Sequence, residues 1–104
     1  MLLSTTDSIA GKTVVKHIGL VRGNTIRARN IGRDVMAGLK NLVGGEISEY
    51  TKLMAESREQ SIDRMVETAK GLGANAVIGI RFSTSEVMQH AAEILVYGTA
   101  VVVE

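Results

Sequence analysis

Two histidines and a run of arginines are the side chains here with the most chemistry to offer. His17 and His90 are the only imidazoles, and cysteine is absent. Without thiols there is no disulfide framework, thiol nucleophile or thiolate zinc site. A metal site needs three or four converging ligands. His17 would have to recruit a carboxylate such as Glu46 or Glu49, or copies related by symmetry. The plainer reading makes His17 a strand residue and His90 a solvated turn residue. Met36, Met54, Met65 and Met88 read as packing side chains rather than thioether ligands.

Arg22, Arg27, Arg29 and Arg33 follow one another with no intervening acid. They form an anion-binding candidate. Nucleic-acid binding would also want interleaved aromatics or a reading helix. The aromatics are only Tyr50, Phe82 and Tyr97, so nucleic acid is not the expected partner.

No catalytic constellation stands out. Ala10-Gly11-Lys12-Thr13 resembles the end of a phosphate-binding loop, but Thr6 stands where that motif needs glycine and a strand follows the lysine. Glu46 and Glu49 are acids at a helix start, where the helix dipole favours them. The expectation is a non-enzyme without a bound cofactor.

The elements that must position these residues follow from patterning. The chain has 104 residues, 45% of them hydrophobic and 22% charged, which fits one globular domain over residues 1–104. Residues 2–5 read as a weak strand. Residues 13–22 form a β-branched strand, Gly23-Asn24 a turn, and residues 25–28 resume as strand. Apolar residues at helical spacing predict a short helix over 31–43 and a long one over 48–72. The long helix carries the stripe Met54, Ile62, Met65, Val66, Ala69 and Leu72, and Gly73 fits a left-handed C-terminal cap. At ~1.5 Å per residue it spans ~37 Å. Two strands close the chain, from Asn75 to about Met88 and from Glu93 to Val103. A short connection at Gln89-His90-Ala91 makes them antiparallel.

The last strand is apolar on both faces, with Ile94, Val96, Gly98, Ala100 and Val102 against Leu95, Tyr97, Thr99, Val101 and Val103. An antiparallel sheet wetted on one face should alternate. One long and one short helix could cover one face and leave the second to another copy of the chain; the alternative is a monomer whose two helices cover one face each. Charge is divided too: residues 1–45 hold seven basic and two acidic groups, residues 46–104 five and nine. Such halves suit head-to-tail contacts between copies, or neutralise each other within one subunit.

Buried or interfacial charges are normally paired. Arg58 lies one turn from both Met54 and Ile62, Arg81 interrupts a strand face, and Glu93 opens the last strand. With Glu46 and Tyr50 they are the candidates for ligand or subunit contacts; Arg58 or Arg81 is expected to pair with a carboxylate, of the same chain or of a neighbouring copy, the alternative being that each reaches out to solvent. No apolar run reaches the ~18 residues of a membrane helix, and no secretory leader pattern opens the sequence. The expected location is cytoplasmic.

The stretch GGEISEYTKLMAESREQSIDRMVETAKGLGANAVIGIRF (44–82) and the ending EILVYGTAVVV (93–103) resemble the YbjQ-like family. That resemblance implies a small two-layer α/β domain similar to the dodecin subunit class, assembled as a ring-like pentamer. It also brings a heavy-metal-binding label, the only source of a metal cofactor in this reading. The combined expectation is an α+β domain with a mainly antiparallel sheet, working as a homo-oligomer that holds a small ligand at subunit contacts. Metal binding and anion binding through Arg22 to Arg33 stand as alternatives.

Overall fold

The computed structural model describes the backbone of residues 1–28, 45–88 and 91–104, and the side chains of residues 1–26, 51–86 and 91–104. The expected helix over 31–43 and turn residues 89–90 lie outside the described residues. The elements in chain order are β1 (Leu2–Leu3), β2 (Val14–Ala28), α1 (Gly45–Gly71), β3 (Ala76–Met88) and β4 (Ala91–Val103). They form one four-stranded sheet in the order β1-β3-β4-β2. β4 pairs antiparallel with both β2 and β3, while β1 joins β3 in parallel.

The turn expected at Gly23-Asn24 is not there. β2 runs straight through it, pairing from Leu20 opposite Thr99 to Ala28 opposite Ala91 without a break. Gly23 has a different purpose. A Cβ built on it would overlap the Ser61 carbonyl oxygen and lie 2.5 Å from the Met65 nitrogen. The glycine lets α1 descend onto the strand at backbone contact.

The seam continues in short polar side chains. Thr25, Ser57 and Ser61 are buried. The Thr25 and Ser61 hydroxyls lie 3.0 Å apart, and Ser61 Oγ is within 2.9 Å of the Ser57 carbonyl and 3.1 Å of the Ile94 carbonyl. Buried hydroxyls need such partners. The helix contact therefore runs along Ser57, Ser61, Met65 and Ala69 at four-residue spacing. Met54, Ile62 and Val66 flank it half-buried. Leu72, expected at the end of the stripe, is exposed beyond the helix. Gly73, at φ 89°, ends α1 as expected. Its N–H donates to the Lys70 carbonyl at 3.0 Å and the Ala74 N–H to the Ala69 carbonyl at 3.1 Å, the paired closure of a Schellman cap.

Two cores result. Under the helix, Val21, Met65, Ala69, Val77, Val96 and Ala100 pack together. On the other face, at one end only, Ala76, Ile78, Val101 and Val103 pack with Ile9 and Val14. The N-terminal segment supplies this second cover by running beside β3: Ser4 N–H donates to the Val77 carbonyl, Ile80 N–H to Ser4 and Gly79 N–H to Thr6. Gly79 takes φ 62° in the bulge that shifts the β3–β4 register. The molecule is long and thin, 55 × 23 × 17 Å with a radius of gyration of 17.2 Å, against ~13 Å for a compact chain of this size.

Candidate functional site

Beyond the N-terminal cover, the face of the sheet opposite α1 is open among the described residues. Residues directly opposite on paired strands project to the same side, so the register sets out this face row by row. Leu20, Thr99 and Ile78 form one row, followed by Arg22, Tyr97 and Arg81. Asn24, Leu95 and Ser83 come next, then Ile26, Glu93 and Ser85. Leu20 is 69% exposed, Ile26 59% and Tyr97 37%. Phe82 is 46% exposed for a different reason. It pairs with Val96 and so stands on the helix side, but α1 packs over β2 and β4 and scarcely reaches β3.

The candidate residues divide accordingly. Arg22 and Arg81 come together across Tyr97, giving the open face two cations flanking a phenol. Among the described residues of the single chain the Arg81 partners are backbone: its Nη1 donates to the carbonyls of Thr5 at 2.7 Å and Ile80 at 2.8 Å. It thereby ties the N-terminal segment to β3. Among the described residues Glu93 accepts from Asn24 Nδ2 at 3.0 Å. The Asn24 carbonyl in turn accepts from Arg64 Nη1 at 2.6 Å.

Arg58 is exposed and has no hydrogen-bond or ion-pair partner among the described residues. Its neighbours Met54 and Ile62 lie on the flank of the helix contact, which the spacing of apolar residues alone does not reveal. His17 is exposed on the open-face side of β2, opposite Val101. Glu46 and Tyr50 occupy the first turns of α1, and Arg27 lies in β2, with side chains outside the described residues. His90, Arg29 and Arg33 fall outside the described residues altogether.

Sequence reasoning missed Asn24, Leu20, Ile26 and Tyr97 as members of one surface. The signal was the alternation Leu20, Arg22, Asn24, Ile26, which becomes visible once Gly23 is read as strand.

Among the described residues no three of His, Asp and Glu come together as a metal site requires. The donors they supply do not fit a heavy-metal centre. No helix among them is long and apolar enough to cross a membrane.

Comparison with known proteins places this architecture. A family model described as "Putative heavy-metal-binding" matches residues 1–104. A UPF0145 protein of Dehalococcoides mccartyi is 56% identical over 104 residues, covering 100% of both chains. One from Hahella chejuensis is 55% identical over 104 residues, again covering 100% of both. One from Halorubrum lacusprofundi is 60% identical over 101 residues, covering 97% of each. A crystal structure of a protein with unknown function of the DUF74 family from Pediococcus pentosaceus shares the fold, with a TM-score of 0.66 at 18% identity, covering 100% of this chain and 98% of that one. The whole-length match and these relatives show that the chain belongs to the YbjQ-like family.

Proposed function

We propose that the chain is a structural building block that works as a homo-oligomer, with copies of itself covering the open sheet face. The observation that carries this is the exposure of Leu20, Ile26 and Tyr97 on a face that no described helix covers. Burying one such side chain is worth roughly 1.5–3 kcal/mol. Several together approach the ~5–15 kcal/mol that holds a whole domain folded. The elongated shape points the same way, since a thin sheet-and-helix slab gains compactness by stacking with others.

The Arg22–Tyr97–Arg81 row is where an anionic small molecule would meet this face, so any ligand is expected at the contacts between copies. Light scattering on the untagged chain tests the reading. It predicts a particle several times the 11.1 kDa subunit; a stable monomer at micromolar concentration would refute it.

A further inference from the structure

We propose that Arg22, Tyr97 and Arg81 bind an anion made of linked phosphate groups, laid across the open sheet face from β2 to β3. This rests on the reading above for the place of the site, between copies, and adds the chemical class of the ligand.

The three residues share one row of the sheet. With strands about 4.8 Å apart, the two arginine Cα atoms stand about 10 Å from each other, with Tyr97 midway. Arg81 is held in place. Its Nη1 donates to the Thr5 and Ile80 carbonyls, and Thr5 belongs to the N-terminal segment on the outer side of β3. A guanidinium has five N–H groups. Those on Nε and Nη2 of Arg81 have no partner among the described residues. They form an edge of the fork that can grip phosphate with two bonds. Fixing the side chain in advance removes entropy that binding would otherwise lose.

Arg22 and the Tyr97 hydroxyl also have no hydrogen-bond partner among the described residues, and both side chains are exposed. Two acids border the row. Asp7 lies beside Gly79. Glu93 stands further along β4, about 14 Å from Tyr97, and accepts from Asn24. Neither pairs with Arg22 or Arg81 among the described residues. The row therefore offers donors and positive charge without an acceptor. A copy covering the face would make that lack costly, because guanidiniums taken out of water need partners.

The form of the ligand follows from the spacing. Arg81 is drawn outward to Thr5, so the two cations do not converge, and one tetrahedral oxyanion meets only one of them. A chain of phosphates spans both, and after the first contact the second is intramolecular. It also carries acceptor oxygens along its middle, where Tyr97 stands. A dicarboxylate of equal length would set hydrocarbon there and leave the phenol unmet. Free polyphosphate and the phosphate tail of a nucleotide share this chemistry.

Calorimetric titration of the untagged chain, at fixed ionic strength and without divalent cations, compares phosphate, pyrophosphate, tripolyphosphate, ATP and adipate. Affinity is expected to rise along the first three, with saturation at a fixed ratio to subunit. ATP equal to tripolyphosphate assigns the phosphate chain alone; tighter ATP assigns a nucleotide whose base adds contacts. Arg22→Gln should weaken tripolyphosphate binding about ten- to a hundredfold, and Tyr97→Phe by less. Lys70→Gln, exposed at the end of α1, removes the same charge and should change nothing. Arg81 stays intact because it also secures the N-terminal segment. Adipate as tight as tripolyphosphate, equal losses from Arg22→Gln and Lys70→Gln, or no binding at low salt overturns the site. Light scattering on the same samples separates the two readings. An oligomer that binds nothing leaves self-association standing, whereas a monomer that binds keeps the ligand and refutes the contact between copies.

Discussion

Gly23 lies so close beneath Ser61 that a single added methyl on the glycine would meet the serine's backbone carbonyl. The clash is with helix backbone, which cannot rotate away as a side chain can. Gly23→Ala is expected to destabilise the fold by about 3 kcal/mol, the upper range for overpacking. Urea denaturation measures it, with a lowered midpoint at unchanged slope as the expected outcome.

Beside that contact, Thr25 and Ser61 share one buried hydroxyl pair. Removing either leaves a polar group short of a partner, at about 1–3 kcal/mol. Thr25→Val and Ser61→Ala should each destabilise within that range, and the double variant by clearly less than their sum. Additivity in a double-mutant cycle would show that the hydroxyls act independently.

Asn75 stands in for a missing strand residue beside Val103. Its Nδ2 donates to the Val103 carbonyl at 2.9 Å, and its Oδ1 accepts from the Val103 N–H at 2.8 Å. Asn75→Ala should cost about 1–3 kcal/mol. It should also speed amide exchange at the end of β4, measured residue by residue, while the strand centre near Val96 keeps its protection.

Much of this fold could be read from residue pattern. The helix over residues 48–72, its Gly73 cap and the antiparallel final pair all rest on local signals of spacing and glycine placement. Gly23-Asn24 defeated the reading because a turn glycine and a close-packing glycine look alike until the partner is known. That partner, Ser61, is distant in sequence. How far Arg58 stands from the sheet was illegible for a related reason. Helical periodicity gives the angle of a side chain about its axis but not how far the neighbouring sheet extends. The open face was legible as an excess of apolar residues on both parities of β4. Its row of Arg22, Tyr97 and Arg81 was not, because rows depend on register.

Leu20 and Ile26 are exposed in the single chain, so charging them leaves its fold intact. Leu20→Glu and Ile26→Glu are each expected to weaken association by about 1.5–3 kcal/mol, roughly ten- to a hundredfold in dissociation constant. Sedimentation equilibrium reads this directly, with circular dichroism checking that the fold survives.

The family's metal label leads to a measurement too. The described donors do not converge, so untagged protein is expected to contain no stoichiometric metal by elemental analysis, and Zn, Cu and Ni to leave its melting temperature unchanged. A metal retained at a fixed ratio to subunit would show that ligands come together outside the described residues or between copies.

Native mass spectrometry of the untagged chain bears most directly on the claim that like copies shelter the bare sheet surface. The account predicts one dominant species at a whole multiple of 11.1 kDa, persisting on dilution to micromolar concentration. A spectrum dominated by the single subunit under those conditions would contradict it.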